Sequence, residues 1–339
     1  MKALVTGASG FLGRHVVAAL VARGHEVRAM VRPAARLEEG WPASVEVFRA
    51  DLRSSRDLEA AFEGVDVLLH LVVTHTGGED VQFASAVVGT ERLLEAMARS
   101  RCRRVVLAGT FAVYDRTRVR GAFDESTPVL AGKTLYEYDG YTIAKSWQER
   151  VTRRFAQEHG WELTVLRPGN LWGRGNESMS ALGVKAGKVY FVIGPLMRLP
   201  LSYVENCADV FARAAEDPRA IGQTLNVVDG PGPRIWHYLG EYLRGTGQRA
   251  LRVPVPYWLV YGLLRLARAT LFRRSRKLPS ILVPRLFELR IRGFRWENRR
   301  LRDVLGWRPL FDWRESLERT YGPRAGADAS SPRPTATAG

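Results

Sequence analysis

The sequence predicts an α/β protein built on a doubly wound, parallel sheet. Short runs of nearly continuous apolar residues alternate with segments of helical spacing over roughly the first two-thirds of the chain. Unbroken apolar runs are typical of strands covered on both faces, and strand–helix alternation implies right-handed crossovers between parallel strands. The chain has 339 residues, of which 46% are hydrophobic and 25% charged, as expected for a globular protein with one large core.

The alternation can be followed in order along the chain. Strand runs are predicted at 3–7, 26–32, 45–52, 65–73, 103–110, 162–169 and 224–230. Helical spacing is predicted at 13–24, 57–64, 89–100 and 140–160. After about residue 170 this regularity is lost until the strand run at 224–230, which predicts a smaller lobe interleaved with the sheet.

Three glycines, Gly7, Gly10 and Gly13, lie between the first strand run and the first helix. Glycine permits a tight turn and a close approach of the backbone to a ligand. In a doubly wound sheet this turn presents backbone N–H groups and the positive end of a helix to a pyrophosphate. Asp51 and Leu52, which follow the third strand run, strengthen the prediction of a dinucleotide-binding site.

Tyr141 and Lys145 stand four residues apart in a segment of helical spacing. Residues four apart share a helix face, so the phenol and the ammonium can address one site. A nearby cation favours the phenolate and lowers the pKa of a tyrosine, which would make Tyr141 a useful acid–base group. The spacing also suits an ordinary solvated helix face.

Six motifs occur together in one order, and the combination is more specific than any one of them. They are TGASGFLG, the DL pair at 51–52, LAGTFAVYD, YTIAK, RPGNLWG and SYVENCADV. From Met1 to about Tyr321 this set resembles the extended short-chain dehydrogenase/reductases, the NAD(P)-dependent epimerase/dehydratase family. The resemblance implies a Rossmann-like NAD(P)-binding domain at 1–170 with a returning strand near 223–229, and a substrate-binding lobe at 171–222 and 230–322.

The resemblance also implies roles for individual residues. Tyr141 would be the proton donor and acceptor, Lys145 would hold the nicotinamide ribose and lower the pKa of Tyr141, and Thr110 would bond the substrate oxygen. The implied cofactor contacts, in chain order, are Gly7, Ser9, Gly10, Phe11, Leu12, Gly13, Asp51, Leu52, Leu71, Val72, Lys145 and Pro168.

Three positions, at two places in the chain, depart from the family pattern. Dehydratases of the family carry an Asp-Glu pair after the threonine, whereas Phe111 and Ala112 stand here and cannot protonate a leaving hydroxyl. This argues against sugar dehydration. Many members have asparagine where this chain has Ala86, so any interaction made by that asparagine must be replaced or absent.

The cofactor preference is predicted from the end of the second strand run. NAD-preferring members place an acid there, but this chain has Val31 followed by Arg32. An arginine fork suits a 2′-phosphate, so we expect NADP to be preferred, with NAD as the alternative. A surface arginine without a ligand role is the other interpretation of Arg32.

The second half of the chain offers weaker signals. Asn170, Tyr203, Trp236 and His237 are candidates for substrate contact or for packing in loops. The segment 254–277 combines aromatic residues with a basic flank and is too short and too charged to span a bilayer. It is typical of peripheral contact with an anionic membrane surface, or of a helix packed on its own lobe.

Composition narrows the remaining classes of function. The net charge is +16, but no nucleic-acid-binding motif accompanies it, so we expect no nucleic acid partner. Cys102 and Cys207 lack metal-ligand spacing, which predicts two buried thiols and no metal site.

Residues 323–339 have the composition of a disordered tail. The N-terminus lacks the pattern of an export signal, so we expect a cytoplasmic protein.

The sequence therefore predicts an enzyme that transfers hydride at a secondary alcohol or ketone, with an apolar compound or a nucleotide sugar as its small-molecule substrate. A nucleotide-sugar epimerase would use the same residues. A non-catalytic dinucleotide sensor or assembly factor is the third alternative. The resemblance also allows a homodimer formed through the helix that carries Tyr141.

Overall fold

A computed structural model describes residues 1–36, 41–55, 57–72, 78–119, 121–270 and 294–323. The predicted tail lies outside the described residues from position 324 onward, and so do residues 271–277 of the predicted basic flank.

Among the described residues, the strands fall into one large sheet and several short pairings. In chain order they are β1 (Lys2–Thr6), β2 (Glu26–Val31), β3 (Glu46–Arg49), β4 (Val67–His70), β5 (Arg104–Ala108), β6 (Ala122–Phe123), β7 (Glu162–Pro168), β8 (Asn170–Trp172), β9 (Val184–Ala186), β10 (Val189–Ile193), β11 (Leu201–Tyr203), β12 (Thr224–Val227), β13 (Leu251–Val255) and β14 (Arg295–Trp296).

The helices connect these strands and cover both faces of the large sheet. In chain order they are α1 (Phe11–Ala22), α2 (Glu79–Phe83), α3 (Gly89–Ala98), α4 (Gly132–Leu135), α5 (Gly140–His159), α6 (Val204–Glu216), α7 (Ile235–Gly245), α8 (Tyr257–Thr270), α9 (Arg299–Leu305) and α10 (Trp313–Tyr321). A single π-helical turn, Ala84–Val88, joins α2 to α3.

The large sheet has seven strands in the order β12-β7-β5-β4-β1-β2-β3, and every pairing in it is parallel. The fold prediction is therefore confirmed: this is a Rossmann-like, doubly wound sheet. Strand β12 joins its edge near the predicted position, after the chain has left the sheet to form β8 to β11. Because all strands run the same way, the residues that follow them meet at one edge of the sheet.

Burial on both faces explains the continuous apolar runs. Along β1, Ala3 and Val5 belong to the core beneath α1 and α6, whereas Leu4 belongs to the core beneath α3 and α5. A strand that is covered on both sides needs apolar residues at every position. The two cores hold the sheet rigid at the edge where its candidate site residues emerge.

A separate aromatic core lies in the smaller lobe. Trp172, Tyr203 and Tyr238 are fully buried there, and Trp313 of α10 packs against them. The ring centroids of Trp172 and Trp313 are 5.0 Å apart. The C-terminal helix is thereby held against the strands β8 and β11, in agreement with the predicted interleaving.

One predicted helix is wrong. Residues 57–64 form a single 3₁₀ turn, Ala60–Phe62, instead of an α-helix. The Asp57 carboxylate accepts a hydrogen bond from the backbone N–H of Ala60 at 3.3 Å, and Gly64 adopts a φ of 68° that ends the turn. The segment is too short to add a second turn between these signals.

Both cysteines are buried, as predicted. Burial raises the pKa of the Cys102 thiol to about 11. Among the residues that the structure describes, no three metal-ligating side chains come together, and no helix has the length and apolar character needed to cross a bilayer.

The close packing of the first glycine turn is testable. A Cβ atom on Gly13 would lie 2.1 Å from the carbonyl oxygen of Gly7 and 2.8 Å from Cα of Ala8, so the backbone would have to move. We expect Gly13→Ala to lower the free energy of unfolding by about 2 kcal/mol, measured by urea denaturation. Gly262→Ala is the control, since a Cβ atom there meets nothing within 4 Å. Equal effects of the two substitutions would contradict this packing.

Candidate active site

The glycine turn leaves a cradle of unobstructed backbone at the start of α1. Gly7 has a φ of 69°, and Gly10 caps the helix without any side-chain hydrogen bond to its first N–H groups. A Cβ atom on Gly7 would lie 3.3 Å from the backbone of Leu71 and Val72. The first turn of α1, from Phe11, therefore offers N–H donors to an anionic ligand, and these residues fit the pyrophosphate of NAD(P).

The residues predicted to contact the adenosine end of the cofactor lie beside each other. Arg32 follows β2 at an exposed position, and Asp51 lies just beyond β3. The carboxylate of Asp51 accepts hydrogen bonds from Arg53, which, with a smaller contribution from Arg32, lowers the pKa of Asp51. Leu52 is buried behind Asp51. The structure thus brings Arg32, Asp51 and Leu52 together.

The predicted nicotinamide end lies at the same edge of the sheet. Thr110 follows β5, and Pro168 ends β7. The hydroxyl of Thr110 interacts with that of Tyr141 and lowers the pKa of the phenol. Tyr141 is set in the first turn of α5, where the Asp139 carboxylate caps the helix by accepting from the N–H of Thr142 at 2.9 Å. Thr110 and Tyr141, two of the predicted catalytic residues, therefore come from the end of β5 and the start of α5, which meet at the same edge of the sheet.

Lys145 is buried one turn further along α5. Its Nζ donates to the carbonyl oxygen of Ala108 at 2.6 Å and to Oε1 of Gln148 at 2.5 Å. Burial lowers the pKa of Lys145 to about 8, and the charge of Glu149 opposes that shift. The ammonium is held against the end of β5, directly before the Gly109–Thr110 turn.

One expectation about this pair needs correction. The sequence predicts that Lys145 lowers the pKa of Tyr141, but in the structure the pKa of Tyr141 is raised. Burial of the phenol is the largest cause, and the interaction with Thr110 opposes it only in part. The hydrogen bonds of Lys145 to Ala108 and Gln148 direct its ammonium toward the sheet, so its charge does not offset the burial of Tyr141.

A buried ion pair supports the helix that carries Tyr141 and Lys145. Arg167 on β7 donates to Glu149 on α5 through Nε at 3.1 Å and Nη2 at 2.5 Å. The guanidinium also lies 4.6 Å from the ring centre of Tyr114. Burial opposes ionisation of Glu149, but the charges and hydrogen bonds of Arg167 and Arg153 together outweigh it, so the pKa of that carboxyl is lowered. This pair, which sequence reasoning missed, fixes α5 against the sheet.

An aromatic cluster follows Thr110 directly. The ring of Phe111 stacks on Trp296 at a centroid distance of 4.5 Å, and Trp296 stacks on Phe123 at 4.1 Å. Phe294 meets the other side of Phe123 edge-on at 4.7 Å. The cluster joins β6 to β14, so residues from the far C-terminal part of the chain reach the candidate site. Its aromatic pairs were not predicted.

The four weaker candidates for substrate contact, all from the second half of the chain, lie apart from one another in the structure. Asn170 begins β8 and lies near Pro168. Tyr203 is buried, and its hydroxyl donates to Glu205 at 2.9 Å, so it belongs to the core of the smaller lobe. Trp236 and His237 stand at the start of α7, where Arg252 covers the Trp236 ring at 4.5 Å. The structure does not gather these four at one point.

The fold and the glycine cradle define a class, a dinucleotide-dependent α/β enzyme, and the candidate residues Tyr141 and Lys145 lie on the helix before β7. Comparisons with known proteins agree. The sequence profile described as "NAD dependent epimerase/dehydratase family" matches residues 3–228. The chain belongs to this family of extended short-chain dehydrogenase/reductases, and it is an NAD(P)-dependent enzyme of the oxidoreductase or epimerase type.

Three similar proteins illustrate the range of the family. The chain is 30% identical over 337 residues to a 3β-hydroxysteroid dehydrogenase/Δ5→4-isomerase of Mycobacterium tuberculosis, covering 93% of this chain and 88% of that protein. It is 26% identical over 271 residues to the decarboxylating sterol-4-alpha-carboxylate 3-dehydrogenase of Homo sapiens, covering 76% and 70%. It also resembles the NAD complex of UDP-glucose 4-epimerase from Thermus thermophilus, with a TM-score of 0.67, 21% identity and coverage of 95% and 98%.

The buried ammonium makes stability depend on pH in a defined window. The folded-state pKa of Lys145, about 8, lies below the ordinary value of 10.5, so between these values the unfolded chain binds more protons and stability rises with pH. In Lys145→Met this contribution is absent. We expect the stability of wild type relative to Lys145→Met to rise by up to about 3 kcal/mol from pH 8 to pH 10.5, measured by urea unfolding. A constant difference across that range would show that the lysine titrates normally.

Proposed function

We propose that this enzyme transfers hydride between NAD(P) and a secondary alcohol or ketone on an apolar, ring-containing substrate of the steroid class. The observation that carries the proposal is the interaction of Thr110, at the end of β5, with Tyr141, in the first turn of α5, where Lys145 follows one turn later. This arrangement supports an acid–base role for Tyr141, with the aromatic residue Phe111 next to Thr110.

The residues divide the chemistry between them. Hydride transfer is what the bound nicotinamide supplies. Tyr141 exchanges a proton with the substrate oxygen, and Thr110 donates a hydrogen bond that polarises the same oxygen. Lys145 binds the nicotinamide ribose. Since the enclosed position of Tyr141 raises its pKa, the phenol is the protonated, donating form at neutral pH, which suits reduction of a ketone.

The stacked rings support an apolar substrate. Phe111, Trp296 and Phe123 form a continuous aromatic layer next to Thr110, with interplanar angles of 11° and 12°. Phe111 and Phe123 are buried, so this layer is an apolar core beside Thr110, and it offers few partners to sugar hydroxyls. Two of the similar proteins described above are named as steroid or sterol dehydrogenases, which agrees with this preference.

Nucleotide-sugar epimerisation is the second candidate. The family model that matches the chain is that of the NAD-dependent epimerases and dehydratases, and an epimerase would use the same three residues, Thr110, Tyr141 and Lys145. Mass spectrometry of small molecules released from gently purified protein separates the candidates. NADP with an apolar compound supports the steroid proposal, whereas NAD with a nucleotide sugar supports epimerisation.

The catalytic assignment is tested with paired tyrosine variants. Tyr141→Phe removes the transferable proton but keeps the ring, so we expect turnover to fall by at least about 100-fold. Cofactor affinity should stay within about twofold, because Tyr141 acts on the substrate oxygen. Tyr136→Phe, at a tyrosine that is 61% exposed, is the matched control and should leave turnover unchanged.

Lys145→Ala is expected to lose both cofactor affinity and turnover, measured by fluorescence titration and steady-state kinetics. Unchanged turnover in Tyr141→Phe would remove the proposed mechanism. If the wild type itself showed no turnover, the third alternative, a non-catalytic dinucleotide sensor or assembly factor, would be favoured.

We further propose NADP as the preferred cofactor. Arg32 lies exposed beside Asp51, at the adenosine end, and Arg53 already neutralises that carboxylate. A 2′-phosphate would therefore meet positive charge here.

Arg32→Ala should weaken NADPH binding about tenfold and leave NADH affinity nearly unchanged, since it removes one charge-assisted contact. Arg314→Ala, whose side chain is 88% exposed on α10, is the control for a lost surface charge. Calorimetric titration checks both. Wild-type protein that binds NADH at least as tightly as NADPH would contradict the preference.

Helix α8 supports a proposal of peripheral membrane contact through 254–277. Trp258, Leu263 and Leu266 are 65%, 57% and 61% exposed, and Arg265 adds positive charge on the same helix. An exposed amphipathic helix with an aromatic start suits the interface of an anionic bilayer, where an apolar substrate would also be found.

We expect Trp258→Ser combined with Leu263→Ser to reduce co-sedimentation with phosphatidylserine vesicles by at least about tenfold. Leu196→Ser, at a leucine that is 70% exposed elsewhere, is the control. Equal sedimentation with neutral phosphatidylcholine vesicles would contradict the electrostatic part of this proposal.

The remaining assignments complete the proposal. Residues 1–170 with the strand near 223–229 form the cofactor domain, and 171–222 with 230–322 form the substrate lobe.

We place the enzyme in the cytoplasm, at the membrane surface when α8 is engaged. We also propose a homodimer formed through α5.

A further inference from the structure

Gln148 lies on α5 three residues after Lys145 and is almost completely buried. Its Oε1 accepts a hydrogen bond from Nζ of Lys145 at 2.5 Å. Its amide nitrogen lies 3.0 Å from Oγ1 of Thr90 and 3.4 Å from the carbonyl oxygen of Val72. An ammonium group can only donate, so the amide oxygen must face Lys145 and the amide nitrogen must face the opposite side.

Behind Gln148 the polar groups form one consistent set. Thr90 donates to the carbonyl oxygen of Ala86 at 2.5 Å and lies 2.8 Å from Nε2 of His70. Nδ1 of His70 lies 2.7 Å from the hydroxyl of Thr6. Burial lowers the pKa of His70 to about 3, so the ring is neutral and carries one proton. Nε2 of His70 also lies 3.1 Å from the amide nitrogen of Gln148.

The contacts of the Gln148 amide nitrogen fix the orientation of the side chain. The nitrogen donates to Thr90 and to the carbonyl oxygen of Val72, and Thr90 in turn donates to the carbonyl oxygen of Ala86. A flipped amide would place its oxygen against the Val72 carbonyl oxygen and its nitrogen against the Lys145 ammonium, which would leave buried polar groups unpaired. The orientation of the Gln148 amide is therefore fixed by α3 and by the backbone that follows β4.

Lys145 has three N–H donors, and two of them have acceptors among the described residues, at Ala108 and Gln148. Two fixed acceptors define the direction of the third N–H. The side chain of Ala86, which stands where many relatives have asparagine, takes no part: position 86 contributes its backbone carbonyl through the π-helical turn.

We propose that Gln148 is the positioning residue for Lys145: its amide oxygen, held by Thr90 and Val72, keeps the ammonium charged and leaves its third N–H for the ribose of the cofactor. This inference rests on the cofactor role proposed for Lys145. The other ionisable groups near the ammonium are Glu149, whose charge is shared with Arg167, and the neutral His70.

The test measures the ionisation of Lys145 directly, without substrate or cofactor. The chain has six lysines, so ¹³Cε-lysine labelling gives few NMR signals, and Lys145→Arg identifies the signal of interest; the lysines are Lys2, Lys133, Lys145, Lys185, Lys188 and Lys277. Gln148→Met keeps the length of the side chain and removes the acceptor. Gln148→Glu keeps an acceptor and adds a negative charge.

We expect the titration midpoint of Lys145 to fall by about one pH unit in Gln148→Met and to rise by about one unit in Gln148→Glu. Gln157→Met, at an exposed glutamine of the same helix, is the matched control and should leave the midpoint unchanged. The affinity of Gln148→Met for NADP⁺ should fall most above the shifted midpoint, where the lysine is neutral.

A midpoint that is unchanged in folded Gln148→Met would overturn the proposal. If Gln148→Met does not fold, as judged by circular dichroism, Gln148→Glu decides, and an unchanged midpoint in that variant overturns it. Failure of the cofactor role gives a different result: Lys145→Ala would then bind NADP⁺ and NAD⁺ as wild type does, while the two Gln148 variants would still shift the titration of Lys145.

Discussion

The buried ammonium of Lys145 is the interaction on which the rest of the site depends. A charge removed from water is strongly unfavourable unless it is paired and hydrogen-bonded, and Lys145 meets that requirement with the carbonyl of Ala108 and the amide of Gln148. The first partner ties α5 to the end of β5, where Thr110 emerges. The ammonium therefore determines where α5, and with it Tyr141, lies relative to the sheet.

The neighbouring ion pair limits how far this arrangement can move. Arg167 and Glu149 join β7 to α5 through two hydrogen bonds, and Arg167 also covers the ring of Tyr114. A shift of α5 would break both the ion pair and the hydrogen bonds of Lys145, leaving buried charges unpaired. On the other side of the site, the stacked rings of Phe111 and Trp296 bring the C-terminal part of the chain to the same point. Polar groups thus fix the reacting side chains, and aromatic groups shape the space before them.

Much of the fold could be predicted because its physical causes are local. Strands buried on both faces need unbroken apolar runs. Gly7 is required because its φ is positive, and Gly13 is required because a Cβ atom there would lie 2.1 Å from the carbonyl oxygen of Gly7. The helix predicted at 57–64 was wrong because the segment forms only the 3₁₀ turn Ala60–Phe62, after which Gly64 adopts a positive φ. The spacing of Tyr141 and Lys145 predicted a shared site, but the direction of the Tyr141 pKa depends on burial and on where the ammonium is held, which the spacing does not contain.

The hydrogen-bond set behind Lys145 shows the same limit. Gln148 stands three residues after Lys145, so its place on the same helix face was available from spacing. It contacts Thr90 of α3 and His70 of β4, and His70 contacts Thr6 of β1; only the order of strands in the sheet brings these residues together. The cluster of Phe111 with Trp296 likewise joins residues far apart in the chain.

Transfer of deuterium from labelled cofactor tests most directly whether this site performs net hydride transfer to an apolar ketone. The enzyme would be incubated with NADPH carrying deuterium at C4 of the nicotinamide and with a 3-ketosteroid, and the product would be examined by mass spectrometry. We expect one deuterium on the new carbinol carbon, and none when Tyr141→Phe replaces the wild type. An unlabelled, unreacted steroid, together with interconversion of UDP-sugars by the same protein, would contradict the steroid assignment and establish the epimerase alternative.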